Sequence, residues 1–236
     1  MNEKEFYDAI NDLGIKITEQ QKKSLQIYCE FLISENQKTN LTAIKEPAEI
    51  YLKHFYDSLT ITKVVDLTKI NNILDIGSGA GFPGMVIKIF FPAVEVTLLD
   101  SNNKKISFLK SLASKLKLEN IQFVQERAED IIKTKRDSFD LVTARAVANL
   151  TTLSELSLPF VKVNGYFIPL KGSNETEIKE ATYAIKTLGG EIEKIMNFTL
   201  PYEGGTRNIL KIKKINNTPT KYPRRYEKIL KNPLKK

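Results

Sequence analysis

Cysteine and histidine are nearly absent from this chain of 236 residues, which contains one of each, Cys29 and His54. A single cysteine excludes a disulfide within the chain and fits a reducing compartment, so we expect a cytoplasmic location. One Cys and one His are too few ligands for a zinc site of the Cys/His type, and we expect no metal centre.

Long apolar runs are missing as well. The most apolar stretch is interrupted by Lys88 and Pro92, and the N-terminus alternates charged with apolar residues instead of forming the apolar region of a signal peptide. We therefore expect no membrane-spanning segment. The hydrophobic content of 42% and the charged content of 27% are ordinary for a soluble globular protein.

Acidic residues are scarce at the C-terminal end. Residues 211–236 contain ten Lys/Arg and one acid, Glu227, whereas the whole chain carries a net charge of +8. The segment "KYPRRYEKILKNPLKK" interleaves cations with tyrosines and prolines, and cations neutralise phosphates while Arg and Tyr planes stack on bases. We favour contact with a polyanion, through Lys221, Arg224 and Arg225. The alternative is a solvated, poorly ordered terminus.

Helical spacing of apolar residues fills residues 1–66, which we interpret as a small N-terminal helical module. A first helix is expected over Glu3–Leu13. Thr18, followed by Glu19 and Gln21, predicts a capped second helix that ends near Ser34. Pro47 predicts the start of a third helix, which continues to Val65.

Strand-like and helical runs alternate after residue 66, which predicts an α/β domain over residues 67–215 and a basic tail over residues 216–236. The predicted strands are Asn72–Ile76, Glu95–Asp100, Ile121–Gln125, Asp140–Thr143, Gly165–Lys171, Glu191–Leu200 and Asn208–Ile215. The predicted helices are Pro83–Phe91, Asn103–Lys117, Thr151–Val161 and Glu175–Leu188. The last two strands are joined by a loop too short for a crossover, so we expect a seven-stranded, mostly parallel sheet with one antiparallel terminal strand.

Four glycines follow Asp75 in the stretch "LDIGSGAGFPG". Glycine permits a positive φ and close approach of a ligand to the backbone, so we expect a bound molecule here. The alternative is an ordinary tight turn, which four glycines after a strand-end acid disfavour. "GAGFPG" matches the dinucleotide pattern G-x-G-x-x-G, but the glycine at the strand end is Gly77, and counting from it puts Phe82 at the third glycine position. A carboxylate beside the loop also suits a cationic sulfonium cofactor better than a pyrophosphate.

The glycine loop resembles the cofactor loop of class I S-adenosylmethionine-dependent methyltransferases, whose Rossmann-like fold has the same strand pattern. Further stretches are "NLTAI", "HFYDSL", "LLDSNNKKISFL", "ARAVA", "IPLKG", "TRNIL" and "KYPRR". Together they are similar to the glucose-inhibited division protein B family of bacterial 16S ribosomal RNA guanine-N7 methyltransferases. The resemblance spans nearly the whole chain and implies S-adenosylmethionine as cofactor. It also implies 16S ribosomal RNA, or the precursor of the small ribosomal subunit, as partner.

The resemblance and the strand positions together suggest a set of cofactor-binding residues: Gly77, Gly79, Gly81, Phe82, Asp100, Ala128, Glu129 and Arg145. The glycines would lie against the methionine part of the cofactor, Asp100 against the ribose, and Ala128 with Glu129 against the adenine. Arg145 would orient the cofactor carboxylate or contact a substrate phosphate. Each side chain also has a structural alternative. Phe82 could be a core aromatic, Asp100 a helix cap, Glu129 a solvated helix-start acid and Arg145 a salt-bridge partner.

His54 and Asp57 are three residues apart on one predicted helix face, as a general base and its carboxylate would be. Guanine N7 is an unprotonated acceptor, so methylation there needs alignment and not a base. We therefore predict no indispensable catalytic side chain, and we expect His54 to hold the helical module against the sheet. Two other functions compete with the methyltransferase: an NAD(P)-dependent oxidoreductase that uses the same glycine loop, and a non-catalytic RNA-binding protein that keeps the fold.

Overall fold

The computed structural model describes residues 1–172 and 175–235, and a single seven-stranded sheet runs through that part of the chain. In chain order the strands are β1 (Asn72–Ile76), β2 (Glu95–Leu99), β3 (Ile121–Val124), β4 (Phe139–Arg145), β5 (Val161–Gly172), β6 (Gly190–Thr199) and β7 (Thr206–Lys214). Their order across the sheet is β3-β2-β1-β4-β5-β7-β6. All the predicted strands are confirmed, with ends displaced by a few residues.

Strands β1 to β5 pair in parallel, whereas β7 runs antiparallel to both β5 and β6. Residues 200–205 connect β6 to β7, and the Leu200 N–H donates to the Gly205 carbonyl across this loop at 3.0 Å. The predicted hairpin is therefore confirmed. The final strand is not at the sheet edge, because it folds back from β6 into the space beside β5.

The N-terminal residues form α1 (Glu3–Asp12), α2 (Glu19–Thr39) and a continuous stretch of α3 (Pro47–Ile50), a π-helical segment (Tyr51–Tyr56), α4 (Asp57–Leu59) and a 3-10 turn (Thr60–Lys63). The predicted Thr18 cap is confirmed: its hydroxyl accepts the Gln21 N–H, and the Gln21 side chain accepts the Thr18 N–H. Helix α2 runs on to Thr39, well past the predicted end, because its buried face continues to Asn36.

The strand connections contain α5 (Gly84–Phe90), α6 (Asn103–Leu116), α7 (Ala128–Lys135), α8 (Leu150–Ser157) and α9 (Glu175–Thr187). Helix α7 was not predicted, since its eight residues mix charges with only two large apolar side chains, Ile131 and Ile132. Among the helices of residues 1–172 and 175–235, none combines the length and apolar character needed to cross a bilayer.

Adjacent residues of β1 serve opposite faces of the sheet, as the alternation of strand side chains requires. Ile73 belongs to an apolar cluster that also contains Phe6, Leu25 and Phe55, so the N-terminal helices share a core with one face. Leu74 belongs to a second cluster, which contains residues of α7, α8 and α9.

The C-terminal segment, which the sequence predicts as a basic tail, is folded onto the domain. It ends in a short helix, α10 (Tyr226–Lys231), in which Ile229 is fully buried, and Tyr222 is buried just before it. Both belong to the second apolar cluster. The prediction failed because these anchors are isolated between cations and leave no periodic pattern. Residue 236 lies outside the described residues.

Candidate functional site

A cavity of about 340 Å³ opens at the carboxyl ends of β1, β2 and β3, where α/β sheets bind ligands. We call it the glycine-loop cavity. Of the residues that the sequence predicts for a cofactor, four line it: Gly77, Asp100, Ala128 and Glu129. The other four, Gly79, Gly81, Phe82 and Arg145, do not line this cavity.

The glycines of the loop have different roles. Gly77 lines the cavity at φ +67°, and a Cβ there would come within 2.6 Å of Val147 Cγ2. Glycine at 77 therefore lets the loop after β1 approach the loop after β4. Gly81, at φ +101°, faces the core, where a Cβ would come within 2.6 Å of the Tyr28 hydroxyl. Its glycine serves helix packing and not contact with a ligand in this cavity.

Asp75 lies beneath the loop and is fully buried. Its Oδ2 accepts the Gly84 N–H at 2.9 Å and so ties the first turn of α5 to β1. Its Oδ1 has no hydrogen-bond partner among the described residues. Burial raises the pKa of Asp75 to about 7, although the Gly84 N–H and the charge of Arg145 oppose this rise.

Asp100 follows β2 and presents a largely buried carboxylate to the cavity. Its two oxygens accept the N–H groups of Gly79 at 3.0 Å and Asn102 at 2.8 Å, and Lys105 Nζ lies 3.7 Å away. The helix-cap alternative is answered by Asn102, whose side chain caps α6 by accepting the Lys104 N–H. Asp100 therefore orders the glycine loop and still has acceptor lone pairs facing the cavity.

Ala128 and Glu129 form the first turn of α7 and line the same cavity. The first N–H groups of a helix have no partner within the helix, so this turn offers donors to a ligand. The cavity thus combines the carboxylate of Asp100 with N–H donors, a set that suits a ribose and an adenine edge. Its volume lies in the range of small-molecule sites.

Arg145 is the last residue of β4 and is held by the N-terminal helices. One guanidinium nitrogen donates to the Lys53 carbonyl at 2.7 Å and to Asp57 Oδ2 at 3.0 Å, and the other lies 2.9 Å from His54 Nδ1. Arg207 Nε donates to the second oxygen of Asp57 at 2.9 Å. The salt-bridge alternative for Arg145 therefore describes what the structure shows.

His54 is neutral, and the lone pair on its Nδ1 accepts a hydrogen bond. Burial, together with the adjacent charge of Arg145, lowers the pKa of His54 to about 3. Nδ1 lies 2.9 Å from the Arg145 guanidinium, which can only donate, and 3.2 Å from the Lys53 carbonyl, which can only accept. The closer contact and the charge of Arg145 favour Nδ1 as the acceptor, so Nε2 carries the proton and donates to Thr42 Oγ1 at 2.9 Å. His54 thus joins the helices to the sheet, as predicted, and offers no free base.

Phe82 is buried in a stack of rings instead of facing the glycine-loop cavity. Its ring centroid lies 5.3 Å from that of Tyr28 and 4.2 Å from that of His54, with nearly parallel planes. The Arg145 guanidinium carbon lies 5.1 Å from the same ring. The core-aromatic alternative for Phe82 therefore fits the structure, because the neighbouring rings occupy its surface.

A second cavity, of about 310 Å³, adjoins the first and is lined by four cationic side chains: Lys53, Arg145, Lys171 and Arg207. We call it the basic cavity. The sequence analysis included Lys171 and Arg207 in the quoted stretches "IPLKG" and "TRNIL" but gave neither a role. Lys171 pairs with Glu177 at 2.8 Å, and Arg145 and Arg207 pair with Asp57.

Ala146 lines both cavities and connects them. Its φ of +55° is uncommon for a residue other than glycine, and such backbone strain concentrates at functional sites. The loop after β4 therefore borders both cavities, and molecules bound in the two cavities would meet beside it.

The three cations predicted to contact RNA differ in exposure. Lys221 and Arg225 are exposed, and Arg225 lies 3.8 Å from Asp130. Arg224 instead makes a bidentate pair with Glu155, whose carboxylate is buried. The prediction for Arg224 as a phosphate ligand does not fit this geometry, since its guanidinium already neutralises a buried acid.

Comparison with known proteins identifies the family. Residues 21–209 match the model of GidB, described as rRNA small subunit methyltransferase G. The chain is 50% identical over 228 residues to ribosomal RNA small subunit methyltransferase G of Bacillus subtilis (strain 168), which covers 95% of each chain. It is 48% identical to the protein of the same name from Macrococcus caseolyticus (strain JCSC5402) over the full length of both.

The fold is also similar to that of solved methyltransferase structures. Ribosomal protein L11 methylase from Lactobacillus delbrueckii subsp. bulgaricus has a TM-score of 0.54 and 17% identity, with 70% of this chain and 79% of that one covered. Three observations support the same family: the strand order of the sheet, the glycine loop and the match to these relatives over nearly the whole chain. The chain therefore belongs to the GidB family and is an S-adenosylmethionine-dependent methyltransferase of ribosomal RNA.

Proposed function

We propose that the protein methylates N7 of a guanine in 16S ribosomal RNA, with S-adenosylmethionine in the glycine-loop cavity and the guanine entering the basic cavity. The observation that carries the proposal is the meeting of these two cavities at Ala146. A methyl donor and its acceptor must lie in contact and in line, and adjoining cavities provide that arrangement.

Within the glycine-loop cavity, Asp100 accepts hydrogen bonds from the ribose hydroxyls, and the first turn of α7 meets the adenine edge. Gly77 lets the backbone approach the methionine end. The loop bonds of Asp100 to Gly79 and Asn102 fix this carboxylate before the cofactor binds, which reduces the ordering required on binding.

The basic cavity supplies positioning for an RNA nucleotide. Lys53, Arg145, Lys171 and Arg207 line it, and Arg145 and Arg207 share one carboxylate, Asp57, so this cluster keeps a net positive charge for the phosphates that flank a nucleotide's ribose. Outside this cavity, Lys221 and Arg225 are exposed cations that contact the RNA backbone farther along the strand. The reaction takes place in the cytoplasm, on 16S ribosomal RNA or on the precursor of the small subunit.

No side chain is required as an acid or base. Bound S-adenosylmethionine supplies an activated methyl group, and guanine N7 has a lone pair and no proton at neutral pH. His54, the one histidine of the chain, lines the basic cavity, but its Nδ1 accepts from Arg145 and its pKa is about 3. The chain's own contribution is alignment of the two molecules and exclusion of water between them.

The first test identifies the product of the reaction. Modified nucleosides are mapped by mass in 16S ribosomal RNA, with the purified protein added either to naked RNA or to small subunits from cells that lack it. We expect one N7-methylguanosine to appear with the wild type. Transfer to another base or another atom would overturn the proposed product.

The cofactor site is tested separately by calorimetry with S-adenosylhomocysteine. Asp100→Ala should weaken binding by about 1.5–3 kcal/mol, the cost of losing hydrogen bonds to a charged acceptor. Asp66→Ala is the matched control, because that carboxylate is exposed and remote from both cavities. An unchanged dissociation constant for Asp100→Ala would contradict the assignment of the glycine-loop cavity to the cofactor.

A further inference from the structure

Tyr226, the first residue of α10, lines the glycine-loop cavity and is half-buried. It comes from the C-terminal segment, more than a hundred residues after the loop that it faces, and the resemblance to known methyltransferases does not point to it. A C-terminal helix that supplies one wall of this cavity suggests a role beyond contact with RNA.

The segment is fixed in place directly before Tyr226. Arg224 uses two guanidinium nitrogens to bind Glu155, at 2.7 and 2.8 Å, and its backbone N–H donates to the same carboxylate at 2.9 Å. The Tyr222 carbonyl accepts a hydrogen bond from Arg136. Glu155 is fully buried, so its pairing with Arg224 is strongly favoured over exposure of an unpaired carboxylate to the core.

Helix α8 contributes both the carboxylate that holds Arg224 and a residue of the cavity. Leu156, next to Glu155 on α8, lines the glycine-loop cavity, as Tyr226 does. Ile229, one turn after Tyr226, is fully buried in the apolar cluster of that side. Tyr226 is thus held from both directions along the chain, and its partly buried side chain packs against the second apolar cluster at the edge of the cavity.

The neighbours of α10 identify the end of the cavity that Tyr226 borders. Arg225 lies 3.8 Å from Asp130, in the first turn of α7. The same turn contains Ala128 and Glu129, which line the cavity where the adenine is proposed to bind. Tyr226 therefore faces the adenine end and not the methionine end at Gly77.

We propose that Tyr226 is a cofactor-binding residue whose ring packs against the adenine of S-adenosylmethionine, so that the C-terminal segment completes the cofactor site. The inference rests on the proposed assignment of the glycine-loop cavity to the cofactor. An aromatic ring against a purine stabilises binding through stacking and removal of apolar surface from water.

The first test measures S-adenosylhomocysteine binding by calorimetry. Tyr226→Ala should raise the dissociation constant roughly 5- to 30-fold, as loss of a stacked ring does, whereas Tyr226→Phe should stay within about twofold of the wild type. Leu230→Ala, an exposed position on the same helix, is the matched control and should change nothing. Thermal unfolding without ligand shows whether each variant is folded.

The end of the cavity is tested with 5′-methylthioadenosine, which keeps the adenine and ribose but lacks the amino-acid part. Tyr226→Ala should weaken this ligand by the same factor as S-adenosylhomocysteine. A loss confined to S-adenosylhomocysteine would overturn the inference, because it would put Tyr226 at the methionine end.

A spectroscopic test does not depend on loss of function. The chain has no tryptophan, so Tyr226→Trp introduces a single indole reporter at the cavity. Its fluorescence should be quenched on titration with S-adenosylhomocysteine, while Leu230→Trp should not respond. A silent Trp at 226 in a variant that still binds the ligand would overturn the inference.

The outcomes separate this inference from the proposed function. If Asp100→Ala weakens binding and Tyr226→Ala does not, the cavity holds the cofactor and the inference is wrong. If neither substitution weakens binding, the cavity assignment itself fails. If Tyr226→Ala lowers RNA affinity alone, the ring stacks on an RNA base and not on the cofactor.

Discussion

Arg145 donates a hydrogen bond to His54 Nδ1 at 2.9 Å, across 91 positions of sequence. This bond joins the end of the central strand β4 to the π-helical segment of the N-terminal module. The same guanidinium also binds Asp57, and because all three residues line the basic cavity, this network holds part of its lining in place. The N-terminal helices thus help to build the site as well as the core.

The pairing predicts that His54 does not titrate in the physiological range. Its pKa is lowered to about 3, so its ring stays neutral down to acid pH. The chain has one histidine, so its ring signals need no mutagenesis to assign. Nitrogen-detected NMR should show the Nε2–H tautomer and no titration between pH 8 and 5. A midpoint near 6.5 would contradict the hydrogen bond with Arg145.

The raised pKa of Asp75 predicts that the stability of the fold depends on pH. Its pKa is raised to about 7 in the folded state, so between about pH 4 and 7 the folded chain holds a proton that the unfolded chain has released. This group's contribution therefore lowers the free energy of unfolding as pH rises through that window. Asp75→Asn stays uncharged and should gain stability relative to the wild type from pH 5 to 8, as urea unfolding would show. A constant difference would contradict a raised pKa.

Arg145→Gln should destabilise the fold more than it affects the cofactor. The substitution leaves Asp57 with Arg207 and removes the donor to His54, so we expect a loss of about 3 kcal/mol in urea unfolding, the low end for breaking a buried ion pair. Arg225→Gln, at an exposed arginine, should stay within about 0.5 kcal/mol. S-adenosylhomocysteine affinity should be kept, because Arg145 lies outside the glycine-loop cavity. Weakened affinity with full stability would restore the cofactor role suggested by the sequence.

Deleting residues 219–236 should destabilise the protein, in contrast to what composition alone suggests. The deletion removes Tyr222 and Ile229 from the core and leaves Glu155 buried without Arg224. Breaking such a pair costs about 3–5 kcal/mol. Equilibrium unfolding of the shortened chain measures the loss. Wild-type stability would mean that the segment does not dock as described.

The exposed cations of the same segment should act on RNA alone. Replacing Lys221, Arg225 and Lys228 with glutamine keeps every buried anchor and Tyr226. RNA affinity should fall, and its salt dependence should flatten by roughly 0.7–0.9 for each phosphate that is no longer neutralised. A control variant replaces three exposed lysines elsewhere, Lys4, Lys16 and Lys110. Equal salt slopes for both variants would show that the segment does not bind RNA.

The sequence by itself determined most of the elements and the position of the glycine loop, because those depend on local chemistry, whereas α7 and α10 were missed. The Thr18 cap, the strand runs and the glycines after β1 act within a few residues, and their patterns can be read along the chain. The family followed from the same stretches. The short loop between β6 and β7 determined their antiparallel pairing.

Only the tertiary structure decided which side chains meet. Arg145 looked like a ligand residue until the fold brought it to Asp57 and His54, and Arg224 looked free until it met Glu155. Tyr226 reached the cavity because two isolated anchors fixed its segment. Such interactions join residues tens of positions apart. Burial of apolar surface stabilises them, and ion pairing offsets the cost of burying charge. No local pattern encodes that burial, which arises only when the sheet and its helices assemble.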